Sequence, residues 1–146
     1  MKLSYKALGR REHTVAELRT CLERKRVEPD AIEAAVEELS EAGFLDDARY
    51  ARRFAEDKRT LERWGTDRIA RDLRRRGVEP AVIEEALSGR ERAAELDSAL
   101  VLLQERVPVP PESERARDKA WRLLVRRGYE PELAYEAVRA HERHFA

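Results

Sequence analysis

Cysteine is nearly missing from this chain: Cys21 is the only one in 146 residues. A lone cysteine closes no internal disulfide and builds no zinc cluster; beside Leu18 and Leu22 on a helical pattern, it reads as a small, partly buried hydrophobe. Aromatic residues make up 6% of the chain, too few for a sheet-rich enzyme core. No apolar run approaches the ~18 residues that span a bilayer, and the N-terminus lacks the apolar stretch of a secretory signal. A cytoplasmic protein without a membrane partner is expected. No glycine-rich phosphate loop of the Walker type is present, so the chain is not expected to hydrolyse nucleotides. The histidines number three. His141 and His144 share a helical face, but a metal site would need ligands from elsewhere, and all three, His13 included, are expected at the surface. Asp46 and Asp47 are adjacent and diverge on a helix; capping accounts for them better than acid–base chemistry. Catalysis, cofactor and metal are therefore not expected. Net charge is also lacking: thirty basic and thirty acidic residues cancel, so charge as a whole argues for no nucleic-acid or membrane partner.

What the chain has is charge in bulk, 41% of its residues, and apolar residues spaced by three and four, which predict helices almost throughout. It also repeats. Glu-Pro steps stand 51 residues apart, at Glu28-Pro29, Glu79-Pro80 and Glu130-Pro131. At the same offset Leu22, Leu73 and Leu124 coincide, as do Val27, Val78 and Tyr129, and Ala35, Ala86 and Ala137. A short unit that recurs cannot bury its apolar face alone, so the copies are expected to stack. The expected fold is all-α: three tandem three-helix repeats, at 1–45, 46–89 and 90–146, in an elongated, curved array.

In the first repeat helices are predicted near Leu3 to Glu12, Thr14 to Lys25 and Pro29 to Ala42, with Met1 almost at the start and no N-terminal extension expected. Thr14 and Glu17 form a capping box. Gly43 predicts a helix stop with Phe44 folded back on Leu39. Asp46 then caps a helix running to about Arg63, with Leu45 and Tyr50 spaced as a hydrophobic staple. Thr66 to Arg76 stops at Gly77, and Pro80 opens the next helix, where its missing amide costs nothing. The third repeat runs from about Glu91 to Arg106, crosses an extended Pro-rich connection at 107–112, and continues from Ser113 to Arg127 and from Pro131 to His144. Arg26 stands where Gly77 and Gly128 stand; a side chain in the left-handed conformation costs on the order of 1 kcal/mol, so a different stop is expected there.

Divided along the chain, the charge is uneven: residues 1–45 sum to −1, 46–78 to +4, 79–114 to −6 and 115–146 to +3. At 100° per residue Arg68, Arg71 and Arg75 lie opposite Ile69 and Leu73. The offset of 51 maps them onto Lys119, Arg122 and Arg126, and Arg115 extends that stripe by a turn. The first repeat offers only Glu17, Thr20 and Arg24 at these places and is expected to contribute less. Arg49, Arg52, Arg53, Arg59 and Arg63 lie opposite Tyr50, Phe54 and Leu61. Together these twelve are the candidate contact residues for a protein partner or for DNA phosphate, because arginine favours bidentate contact with carboxylate and phosphate. Competing with this at each position is a solvated face paired with carboxylates such as Asp67, Asp72 and Glu56. Trp64 and Trp121 fit either an interface anchor or core packing.

The run Gly43-Phe44-Leu45-Asp46-Asp47-Ala48-Arg49-Tyr50-Ala51, then Gly65 with Ile69 and Leu73, then Arg76-Gly77-Val78 and Ile83 to Leu87, resembles the RecX regulatory proteins. The likeness is strongest from Leu39 to Leu87 and loosest in the third repeat. It implies a protein that binds the RecA filament on single-stranded DNA and limits its recombination, ATPase and co-protease activities; the segregated charge is in addition compatible with weak direct DNA contact. It brings no catalytic residues. A monomer is expected from polar outer helices. An autonomous nucleic-acid-binding module is the alternative, since three-helix units resemble helix-turn-helix proteins; net neutrality counts against it. A purely structural scaffold would make the likeness accidental.

Overall fold

The computed structural model describes residues 12–144. The helix expected from Leu3 lies outside them, except for Glu12, which is not helical. The described chain is all-α, with eight helices and no strand: α1 Val15–Arg24, α2 Pro29–Glu41, α3 Asp47–Leu61, α4 Thr66–Arg75, α5 Pro80–Leu87, α6 Arg92–Arg106, α7 Glu114–Arg126 and α8 Pro131–His144. Each Glu-Pro step opens a helix, because proline at the first position loses no amide partner there. Residues 107–113 form the irregular connection that Pro108, Pro110 and Pro111 dictate. The described residues fall into two compact units, one of residues 12–53 with 72–86 and the other of 54–71 with 87–144.

In the first unit Leu18, Leu22, Ile32, Ala35, Val36, Leu39 and Leu45 form the core, with Val15, Cys21 and Val27 packed on its edge. Each buried leucine contributes roughly 1.5–3 kcal/mol. The start of α1 is capped as its sequence predicts. The Thr14 hydroxyl accepts from the Glu17 amide at 3.1 Å and the Glu17 carboxylate accepts from the Thr14 amide at 3.0 Å. Thr14 is fully buried because its hydroxyl also donates to the Arg76 carbonyl, at 2.7 Å. The Val15 amide donates to Asp47 Oδ1 at 3.0 Å, and burial raises the Asp47 pKa above its ordinary value. Asp46 Oδ1 accepts from the Arg49 amide at 3.0 Å, the cap expected for α3, and Leu45 and Tyr50 of the staple are both buried.

The expectation for Arg26 needs correction. Arg26 takes φ +59° and ends α1 as Gly77, at φ +86°, ends α4. The Val27 amide reaches the Leu22 carbonyl at 3.1 Å, and Val78 reaches Leu73 at the same 3.1 Å. The turn's hydrogen bonds and the buried Leu22 offset the left-handed strain. Arg26→Gly is thus expected to stabilise the fold by about 0.5–1 kcal/mol, the relieved strain less the added entropy of an unfolded glycine; urea denaturation at unchanged m-value checks it.

Gly43, at φ +81°, ends α2 in the expected Schellman stop, with the chain at Phe44 folded back on Leu39. The Phe44 amide returns to the Leu39 carbonyl at 2.9 Å, while the side chain is 54% exposed and Leu45 takes the place in the core.

The second unit is built on α6, α7 and α8, whose Ala99, Leu102, Leu103, Ala120, Leu124, Tyr129, Leu133, Ala134, Ala137 and Val138 form one core. Gly128 takes φ +100° and the Tyr129 amide returns to Leu124 at 3.1 Å, repeating the Gly77 stop. His141, expected at the surface, is 1% exposed. Its Nε2 lies 2.7 Å from the Val107 carbonyl, so the ring ties α8 to the Pro-rich connection; His144 is exposed. The helix expected to reach Arg63 stops at Leu61, since Arg63 is left-handed at φ +55° and the Trp64 amide turns back to Lys58 at 3.1 Å. Leu61, expected on the apolar side, is 75% exposed.

Candidate partner-binding surface

The twelve candidate cations are distributed over both units. In the first, Arg53 Nη1 lies 2.9 Å and Arg49 Nε 3.7 Å from Glu12 Oε1, and Arg49 also donates to the Gly43 carbonyl at 3.0 Å. These two arginines are held by their own chain, as the solvated-face reading requires. Arg52 is exposed and makes no ion pair among the described residues. Arg75 is exposed, with only a 3.8 Å approach to Asp72.

In the second unit two segments far apart in sequence meet through their backbones. The Gly65 amide donates to the Arg127 carbonyl at 2.7 Å and the Asp67 amide to the Gly128 carbonyl at 3.0 Å. The Tyr129 hydroxyl donates to the Arg63 carbonyl at 2.7 Å and lies 2.8 Å from the Ser98 hydroxyl; burial pushes this phenol above its usual pKa. Arg127 reaches the Glu62 carbonyl at 2.8 Å, and Arg68 reaches the Arg126 carbonyl at 3.4 Å. The start of one basic stripe is thereby joined to the end of the other. Arg63, Arg68, Arg126 and Arg127 gather at this junction, which helical periodicity within either stripe could not reveal.

Trp64 sits beside the junction with Arg68 4.0 Å and Lys58 4.7 Å from its ring centroid, and Phe54 meets it edge-on at 6.2 Å. Each cation over an indole face contributes about 0.5–1 kcal/mol at a partly exposed site. Trp64 is thus a local support for Arg68. Trp121 is partly buried against the α6–α8 core, with its indole donating to the Pro131 carbonyl at 3.0 Å.

Arg59 is a correction to the candidate surface. It is half-buried, its Nη2 donates to Thr66 Oγ1 at 3.3 Å, and burial, with Arg90 nearby, lowers its pKa from the ordinary guanidinium value. Its place is structural, beside the buried Glu95. Arg122 pairs with Asp118 at 2.9 Å. Arg71, Arg115, Lys119 and Arg126 are exposed and form no side-chain ion pair among the described residues. Lys119 and Arg126 also border a cleft of 520 Å³ with Arg106, Val109 and Pro111. Sequence reasoning passed over Lys58 and Arg127, which fall off the stripes; Trp64, six residues after Lys58, and the glycine after Arg127 were the available signals.

No cluster of His, Cys, Asp and Glu suited to a metal ion occurs among the described residues, and no described helix is long and apolar enough to cross a membrane. The surface offers cations and hydrogen-bond donors, chemistry that suits recognition of anionic groups.

A family model for the second three-helix domain of RecX matches residues 46–87, and one for the first three-helix domain matches residues 2–39. The regulatory protein RecX of Chromobacterium violaceum is 33% identical over 131 residues, covering 90% of this chain and 83% of its own length. This chain belongs to the RecX family. The RecX of Deinococcus radiodurans is 37% identical over 136 residues, 93% of this chain, and that of Clostridium botulinum strain Alaska E43 is 33% identical over 138 residues, 92% of this chain. The chain spans 65% and 64% of the lengths of these two RecX proteins. The crystal structure of RecX from Lactobacillus salivarius matches with a TM-score of 0.84 at 17% identity, covering 97% of this chain and 94% of that one. A second RecX crystal structure matches at 0.78 with 19% identity, covering 95% and 70%. The RecX fold is common to all three.

Proposed function

We propose that this chain is a non-enzymatic regulator that binds the filament formed by the RecA recombinase on single-stranded DNA. It limits the filament's strand exchange, ATP hydrolysis and co-protease activity, acts in the cytoplasm as a monomer, and thereby regulates DNA repair. The observation that carries this reading is family membership across both RecX three-helix domains. Three units, at 1–45, 46–89 and 90–146, would give it the reach to touch neighbouring protomers. The basic residues of α4 and α7, with Arg68 and Arg126 brought together where 63–68 meets 126–129, are the contact surface it would use. Exposed, unpaired cations steer association with an anionic partner and set its orientation more than its affinity.

The test is DNA-dependent ATP hydrolysis by the cognate RecA on single-stranded DNA. Inhibition is expected at ratios of protein to RecA too low to occlude the DNA. Charge reversal of Arg71, Arg115, Lys119 and Arg126, all exposed, is expected to raise the concentration needed by about tenfold or more, the scale of losing a few rim charges. Undiminished ATP hydrolysis with the unaltered chain would sink the reading. Tight, salt-sensitive binding to bare DNA without any effect on RecA would favour the autonomous nucleic-acid module instead.

A further inference from the structure

The first unit holds an open groove of 850 Å³ between α1 and the last turn of α4. Its base is fixed by short-range packing. The buried Thr14 hydroxyl bonds the Arg76 carbonyl at 2.7 Å, and Gly77 approaches α1 so closely that a Cβ on it would lie 2.3 Å from Ala16 Cβ. Arg76 forms part of one wall. Its Nη1 donates to the Tyr50 hydroxyl at 2.9 Å and its Nε lies 3.5 Å from Asp72 and its Nη1 3.9 Å from Glu17. The two carboxylates of the groove are thus turned toward Arg76. Arg24, Lys25 and Arg75 remain on the rim, all exposed. Arg24 and Lys25 make no ion pair among the described residues, and Arg75 makes only the 3.8 Å approach to Asp72.

We infer that this groove binds the sugar–phosphate backbone of a single nucleic-acid strand, through Arg24, Lys25 and Arg75. Charge selects an anionic occupant: Arg24 and Lys25 have no ion pair among the described residues, Arg75 makes only the 3.8 Å approach to Asp72, and both acidic residues are engaged by the Arg76 wall. The lining selects a polyphosphate strand over an acidic protein segment. Apart from His13 and the carboxylates Glu17 and Asp72, the lining between the cations carries small side chains, Ala16, Thr20 and Cys21, and a protein partner draws most of its affinity from aromatic or aliphatic anchors seated in apolar pockets. A phosphodiester strand needs no such pocket, because each nucleotide brings a charge and cation contacts release condensed counterions. The first repeat thus gains a basic surface that its sequence alone did not offer: Arg24 and Lys25 close α1 and meet Arg75 only in the folded unit.

The inference deepens the filament reading and rests on it, by assigning this groove to the DNA strand rather than to the recombinase. It is tested without the recombinase, by fluorescence anisotropy of labelled oligothymidylate titrated with the full chain across a salt series. The variant Arg24→Gln, Lys25→Gln, Arg75→Gln removes only exposed cations, and circular dichroism checks that it folds. Binding at 0.1 M salt is expected to weaken roughly hundredfold, and the slope of log affinity against log salt to fall by about 2, near 0.7 for each of three lost phosphate contacts. Equal affinity and slope in variant and parent would overturn the assignment, as would failure of the parent to bind the oligonucleotide at low salt. Loss of polyglutamate binding with oligothymidylate binding intact would overturn it in favour of an acidic protein segment. RecA inhibition, measured separately, reports on the filament reading alone.

Discussion

Gly128→Ala is expected to lower stability by about 4 kcal/mol, combining left-handed strain with overpacking against rigid backbone. Gly128 has φ +100°, and a Cβ there would lie 2.3 Å from Arg68 Cβ, 2.5 Å from the Arg68 nitrogen and 2.9 Å from its Cα. Two of those atoms are backbone, held in place by the 3.0 Å bond from the Asp67 amide to Gly128 itself. No rotamer change relieves the clash. Two other glycines separate the contributions. Gly65 has no positive φ but would place its Cβ 2.5 Å from both the carbonyl carbon and oxygen of Gly128, so Gly65→Ala reports the close approach alone. Gly89 has φ +79° with nothing within 4 Å, so Gly89→Ala reports the strain alone, about 1 kcal/mol. The expected order of destabilisation is Gly128, then Gly65, then Gly89. For a chain of this size 4 kcal/mol lowers Tm by about 12 °C, and thermal melts of the three variants check the order. A Gly128→Ala melt no lower than that of Gly89→Ala would refute the close packing of the junction.

The second large effect is expected at Glu95, which is 8% exposed. One carboxylate oxygen accepts from the Thr66 amide at 2.7 Å and the other from Arg90 Nε at 3.1 Å. It therefore serves the free amide at the first turn of α4, and it neutralises Arg90 and the half-buried Arg59. Glu95→Ala leaves two guanidinium groups close together without an anion and one amide without its acceptor, a loss of about 3 kcal/mol. Glu95→Gln keeps an acceptor for Thr66 but not the charge, and is expected to lose about half as much. Denaturant unfolding of both variants checks this. Equal losses would mean that hydrogen bonding to Thr66, rather than charge, is what the carboxylate supplies.

Much of the fold was legible in the sequence where the signals are local. The Thr14–Glu17 box, the Asp46 cap and the Glu-Pro helix starts each depend on residues within a turn of one another, and each stands where its motif predicts. Arg26 was misread because residue type was taken to fix backbone conformation, whereas the return bond from Val27 to Leu22 decides it. His141 and Arg59 were misread because polarity predicts exposure only when no partner waits inside. Val107 supplies one for His141, and Thr66 one for Arg59. The candidate surface was legible as stripes but not as a patch. The pairing of 63–68 with 126–129 spans more than fifty residues of chain, and no periodicity within a helix encodes it. The same holds for Arg24 and Lys25 opposite Arg75.

Both tryptophans lie in the unit formed by 54–71 and 87–144, and none lies in the other. Indole emission from this chain is consequently a reporter for one half of the molecule, while far-ultraviolet ellipticity follows both. The Trp64 ring is approached by Arg68 and Lys58 at 4.0 and 4.7 Å, so its spectrum is coupled to the position of cationic side chains at the basic junction. An anion that draws Arg68 off the ring rewrites that spectrum with no dye attached, giving the chain an intrinsic optical sensor at the surface proposed for its partner.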